Sequence, residues 1–171
     1  KHPKETLIVV TADHETGGIA LGTGKYALNL KALENQKASA EVLSKKISDL
    51  RKAKNNHVAW EDIKNLLSEE MGFWSVLPIT WAQEKKLRDE YEKSFVRNKV
   101  EFAESMYAKT EPMAAKAKEV MDQIAMVGWT SGGHSAGYVP VFAIGAGSDL
   151  FIGKMDNTEI PKRIAKAGGY K

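Results

Sequence analysis

Asp13-His14 closes the apolar run Thr6-Leu7-Ile8-Val9-Val10-Thr11-Ala12 and stands just before Gly17-Gly18. A carboxylate beside an imidazole is donor chemistry suited to a divalent metal. In open α/β sheets, ligands gather beyond the carboxyl ends of strands, where loops aim side chains from a rigid support. A second candidate donor, His134, lies in the small-residue stretch Gly128-Trp129-Thr130-Ser131-Gly132-Gly133-His134-Ser135, before the apolar run Tyr138 to Ile144. The chain has no cysteine, so His, Asp and Glu are the available metal ligands. Adjacent strand residues point to opposite faces, so Asp13 and His14 share one ion only if the chain leaves extended geometry there. Gly17-Gly18 make such a turn cheap. By residue type alone, Asp13 also reads as a turn former, and both histidines as ordinary polar contacts. Glu15 either reaches a metal through water or faces solvent, and His2 and His57 read as surface or turn residues.

The elements that must position these groups fall into three stretches. Residues 6–24 are strand-like and Gly-rich, residues 28–127 are helical and charged, and residues 128–171 return to strand, glycine and a closing helix. Leu30 to Lys54 repeats apolar residues at Leu33, Ala40 and Ile47, interleaved with Leu43 and Leu50, which predicts one helical face. Trp60, Ile63, Leu66, Leu67 and Met71 predict a second helix stopped by Gly72. Thr80-Trp81-Ala82-Gln83 reads as a capping box opening a helix whose buried stripe is Leu87, Tyr91 and Phe95. Pro112 starts a last helix of this stretch, with Met113, Ala117, Val120, Met121 and Ile124 inward. Tyr138 to Ile144 reads as a short strand with Pro140 near its start. Gly145 to Gly147 reads as a tight turn or, less simply, an anion cradle. Asp156 and Glu159 read as capping chemistry for a helix through Ile164 and Ala167, ended by Gly168-Gly169.

Composition excludes some functions. The net charge is +3 over 171 residues, and between Lys25 and Met126 there are 18 Lys and Arg against 16 Asp and Glu. Such interspersion argues against nucleic acid as partner, which calls for a clustered basic face. No run approaches the roughly 20 apolar residues of a membrane-spanning helix.

Four segments in order, Thr11-Ala12-Asp13-His14-Glu15-Thr16-Gly17-Gly18, Gly128 to Ser135, Val139-Pro140-Val141 and Asp156-Asn157-Thr158-Glu159-Ile160, resemble the carboxyl-terminal part of bacterial alkaline phosphatases. The resemblance covers roughly residues 5–24 and 126–168, and the helical middle is where that family varies. It implies an α/β fold, part of a three-layer sandwich carrying a large all-helical insertion. Residues 1–24 and 128–171 would belong to the core and residues 25–127 to the insertion. Strands over 6–12 and 139–145 are expected in one sheet with helix 157–167 on a face. An edge left open there predicts self-association, as in a homodimer, or modest stability.

The resemblance also implies roles. Asp13 and His14 match ligands of the zinc that coordinates the phosphate and the attacking serine, and His134 matches a ligand of the other zinc. That family follows this histidine with Thr-Gly, where Ser135-Ala136 stand here. Phosphate monoesters are the implied substrates: two metals about 4 Å apart neutralise charge and hold attacking and departing oxygens in line, with a phosphoserine intermediate. A catalytic zinc takes about three protein ligands, so three for two ions is an incomplete set. The nucleophilic serine, the phosphate-binding arginine, the other zinc ligands and the magnesium ligands match no residue here, so the 171 residues are expected to be inactive alone. Periplasmic or extracellular placement is likewise implied. A phosphodiesterase, sulfatase or phosphoglycerate mutase of the same superfamily, or a non-catalytic helical interaction module over 28–127, are the alternatives.

Overall fold

The computed structural model describes residues 2–24, 26–104 and 109–170. The chain divides into two compact units, one formed by Lys1–Gly18 with His134–Lys171 and the other by Ile19–Gly133. The chain passes from the first unit to the second after Gly18 and returns after Gly133.

In the first unit, β1 (Leu7–Val10) pairs antiparallel with β6 (Phe142–Gly145), Leu7 opposite Gly145 and Val10 opposite Phe142. β6 begins only after Pro140, which lacks an N–H for a ladder. The Pro140 carbonyl instead accepts from Thr11 Oγ1 at 3.1 Å. A 3-10 turn, Ser148–Phe151, and α5 (Glu159–Ala167) complete the unit. Alternation places Ile8, Val10, Phe142 and Ile144 on one face of the ribbon, and all four are exposed. The Ala146 amide donates to Thr6 O at 3.0 Å, carrying the pairing one step past Gly145, and residues 146 and 147 then form a turn with Gly147 at φ +76°.

The second unit contains the larger core. Its chain enters through β2 (Ile19–Leu21) and leaves through β5 (Val127–Trp129), which pair antiparallel. Between them lie a 3-10 turn (Leu30–Asn35), α1 (Ala40–Ala53), α2 (Trp60–Met71), α3 (Trp81–Tyr91), a π-helical turn (Glu92–Val96) and α4 (Pro112–Ala125). β3 (Ala103–Glu104) and β4 (Lys109–Thr110) form a further two-residue ladder. The stretch is thus predominantly but not entirely helical, because backbone groups at its stem and before α4 are paired by ladders.

Local signals explain most helix bounds. Thr80 Oγ1 accepts from Gln83 N at 3.3 Å while Gln83 Oε1 accepts from Thr80 N at 2.9 Å, a reciprocal box at the start of α3. Pro112 occupies the first turn of α4, where its missing N–H costs nothing. Gly72 ends α2 at φ +70°, and a Cβ built there would lie 2.8 Å from Asn35 Cβ. The single helix expected over Leu30 to Lys54 is instead broken. Ser39 Oγ accepts from Val42 N at 3.2 Å and restarts the chain as α1, while Lys37 N donates to Glu70 O. Accordingly Ala32 is buried and Leu33 exposed.

Inner faces of the four helices meet at Leu43, Ile47, Ile63, Leu67, Leu87, Met113, Val120 and Met121, all fully buried. The apolar stripes of the sequence are therefore packing surfaces. A polar bracket ties three elements together: Glu111 caps α4 by accepting from Met113 N at 2.7 Å and Ala114 N at 3.2 Å, and its other oxygen accepts from Arg51 at 2.9 Å. The Arg51 guanidinium lies 3.6 Å from the Phe95 ring centre in the π-helical turn.

Two outcomes follow for the helical unit. Gly72→Ala adds strain at a left-handed position and a contact with Asn35, so it should cost about 1–2 kcal/mol and lower Tm by several degrees, read by thermal circular dichroism. Burial tends to raise the Glu119 carboxyl, but hydrogen bonds from Lys116 and Lys86 outweigh it and hold the group below its ordinary 4.5. A carboxyl depressed in the folded state stabilises above its unfolded value and loses that contribution as pH falls through the folded one. Stability of Lys86→Met should therefore converge on that of the parent chain as pH drops below about 4.5 in urea titrations.

Candidate functional site

β1 ends at Val10, three residues before Asp13, and Gly17 and Gly18 adopt φ +79° and +60°. The chain has left extended geometry where Asp13 and His14 stand, which removes the opposite-face objection. Asp13 Oδ2 and His14 Nε2 come within 3.4 Å, with the Asp13 side chain open to solvent and that of His14 40% exposed. Asp13 Oδ1 also accepts from the His14 amide at 3.0 Å.

The orientation of His14 has a specific cause. Its Nδ1 lies 2.8 Å from the carbonyl oxygen of Glu15. A carbonyl can only accept, so in the neutral ring Nδ1 carries the proton and Nε2 is the unprotonated nitrogen. This backbone-anchored tautomer is how metal-binding histidines are commonly held. The alternative for the same atoms is a surface imidazolium–carboxylate pair, worth little in water.

His134 arrives from the far end of the chain. Its ring stacks on that of His14, centroids 3.4 Å apart and planes inclined by 25°. Stacking engages the π faces of the rings and leaves the in-plane direction of ring-nitrogen lone pairs distinct from the contact. All three candidate residues named from the sequence are thus brought together, although they lie 120 residues apart.

Their donor set fits zinc in part. Two donors about 2.0–2.1 Å from a tetrahedral ion stand roughly 3.4 Å apart, the separation observed between Asp13 Oδ2 and His14 Nε2. Among the described residues, however, no group of three or more His, Cys, Asp or Glu is disposed to hold one ion. The pair is two-thirds of the protein ligands a catalytic zinc takes, with His134 alongside.

Glu15 corrects the sequence reading: it is half-buried and bonded to the protein rather than facing solvent. Its Oε2 accepts from Ser135 N at 3.0 Å and from the Ser135 hydroxyl, and its Oε1 accepts from Gly18 N. Only its position between His14 and Thr16-Gly17-Gly18 could have signalled this, because its partner is 120 residues away. Beyond Asp13 lies an open cleft of ≈ 500 Å³ whose far wall is Asn157, Thr158, Ile160 and Pro161. Asp156, just before α5, accepts from the Thr158 hydroxyl at 2.7 Å and amide at 3.0 Å, bonds that hold its carboxyl below the ordinary range. His2 pairs with Glu5 at 3.5 Å.

With this geometry in place, comparison with known proteins is decisive. A family model described as alkaline phosphatase matches residues 1–170. The chain belongs to the alkaline phosphatase family. It is 31% identical over 181 residues to alkaline phosphatase 3 of Bacillus subtilis, covering 99% of this chain and 32% of that protein. It is 29% identical over 168 residues to alkaline phosphatase 4 of the same organism, covering 97% of this chain and 30% of that one. The crystal structure of a cold-active alkaline phosphatase from a psychrophilic Shewanella species superposes with a TM-score of 0.62 at 25% identity, over 98% of this chain and 35% of that one. The chain therefore spans about a third of the length of these relatives. Its fold mixes helix and strand. No helix among the described residues is long and apolar enough to cross a membrane.

The hydrogen bond to Glu15 predicts that neutral His14 is the Nδ1-H tautomer. Long-range ¹H–¹⁵N correlation of the imidazole ring at pH 8 should place the protonated nitrogen at Nδ1; an Nε2-H ring would contradict the assignment.

Proposed function

We propose that the whole protein of which these residues form a part is a zinc-dependent phosphomonoesterase acting through a phosphoserine intermediate. Asp13 and His14 are ligands of one zinc and His134 is a ligand of the second. The observation that carries this reading is the convergence of Asp13 Oδ2, His14 Nε2 and the His134 ring just past the end of β1, in a family member matched over nearly its whole length.

The chain's own groups have definable tasks. Asp13 supplies negative charge and an oxygen donor, and its exposure leaves the carboxylate accessible. The Glu15 carbonyl keeps the His14 proton on Nδ1, so Nε2 is the donor. The stack holds the His134 ring beside that of His14, which brings two ligand sets to the close spacing that in-line phosphoryl transfer requires. Zinc held there would polarise a phosphoryl oxygen and lower the pKa of bound water. The serine nucleophile, the remaining zinc ligands and the magnesium ligands of the whole protein are assigned to no residue of this chain. The partial ligand set leads to the proposal that the 171 residues alone do not turn over substrate. Family resemblance supports a periplasmic or extracellular site of action.

Isothermal titration of zinc into the 171-residue chain tests the ligand assignment. Asp13→Asn and His14→Ala should each weaken binding by about 10-fold or more, with their double variant losing it. Equal zinc binding by the parent chain and the double variant would refute the assignment. In the same preparation p-nitrophenyl phosphate should not be hydrolysed above background, whereas zinc-dependent turnover by the purified chain would overturn the proposed inactivity.

A further inference from the structure

Glu15 is half-buried, and its side chain bonds both to its own loop and to a segment 120 residues away. One oxygen accepts from Gly18 N, directly after the buried Gly17, and so anchors the carboxylate to its own loop. The other accepts both the amide and the hydroxyl of Ser135. The Ser135 hydroxyl oxygen in turn accepts from Gly137 N at 3.2 Å, giving a relay from Gly137 through Ser135 to Glu15. No room is left between these groups: a Cβ on Gly137 would meet Glu15 Cγ at 3.1 Å and Ser135 Oγ at 3.2 Å. Glu15 follows His14 directly, and Ser135 follows His134 directly.

We propose that Glu15 is a positioning residue, a carboxylate clamp on Ser135 that sets the spacing between the His14 and His134 rings. Its backbone carbonyl orients His14 through Nδ1 while its side chain draws in the residue that carries His134, so one residue governs both histidines. An ionised carboxylate suits the task because bonds from N–H and O–H donors to a charged acceptor are about twice as strong as neutral ones. The side-chain requirement is specific. Aspartate is one methylene short of spanning from Gly18 to Ser135. Glutamine has one acceptor oxygen and cannot serve both. At position 135, threonine keeps the hydroxyl and the amide, whereas alanine keeps only the amide. The relevance of this spacing to catalysis rests on the proposed metal roles of His14 and His134; the clamp itself does not.

The test uses the 171-residue chain and reads the ring contact separately from the metal. In the parent chain and in Ser135→Thr, cross-relaxation between the His14 and His134 ring protons and upfield ring-current shifts should be present. Both should vanish in Glu15→Ala, with Ser135→Ala intermediate. By calorimetry the zinc dissociation constant should rise about 10–100-fold in Glu15→Ala. The double variant Glu15→Ala/Ser135→Ala should be no worse than Glu15→Ala alone, the non-additivity expected of partners in one network. An unchanged ring contact in Glu15→Ala overturns the clamp. Loss of the contact, with no zinc bound even by the parent chain, supports the clamp and overturns only the metal reading. If Glu15→Ala fails to fold, hydrogen exchange on the parent chain decides: a protected Ser135 amide beside a freely exchanging Ala136 supports the clamp, and a freely exchanging Ser135 amide overturns it.

Discussion

The antiparallel pairing of β1 with β6 is the constraint on which the candidate site depends. Its register sets Leu7 opposite Gly145 and Val10 opposite Phe142, joining segments more than 130 residues apart. A one-residue slip would turn every side chain of β1 to the other face. It would also shift the chain that continues from Val10 to Asp13 and His14 relative to the stretch from His134 to Phe142. Thr11 Oγ1 on the Pro140 carbonyl extends this tie past the last ladder bond, at the point where proline forbids another.

A second ladder does a different task. β2 and β5 close the helical unit where its chain enters and leaves, so about a hundred intervening residues form a core of their own. Closing so long a loop costs little more than closing a short one, since the entropy grows only with the logarithm of length. The buried Arg51–Glu111 bridge belongs to that unit. Burying a lone charge is expensive, but Glu111 is also satisfied by two amides at the start of α4 and Arg51 by the Ser94 carbonyl and the Phe95 ring. The bridge therefore fixes how α1, α4 and the π-helical turn pack, more than it adds net stability.

Local chemistry was legible in the sequence wherever both partners lie within one turn of chain. The capping box at Thr80 and Gln83, the stop at Gly72 and the start at Pro112 are each such a case, and each stands where periodicity and residue type put it. Periodicity misled where it continued across a break: Leu33 and Ala40 share a heptad spacing, yet Ser39 caps a new helix between them. The π-helical turn and the two-residue β3–β4 ladder left no pattern long enough to read. Glu15 could not be assigned because its partner, Ser135, is 120 residues distant and chemically unremarkable.

The sequence by itself determined the candidate donors, the helical character of the middle stretch and the family, because ordered motifs of distinctive residue types survive without coordinates. It also showed that the three candidate donors are fewer than two zinc sites would take, since ligand number is a matter of counting. Only the tertiary structure decided that Asp13 and His14 can face one point, that His134 stacks on His14, and that Glu15 binds Ser135. Those facts depend on where the chain leaves the strand and on pairings between remote segments, and contacts of that kind are set by packing and register rather than by any local propensity.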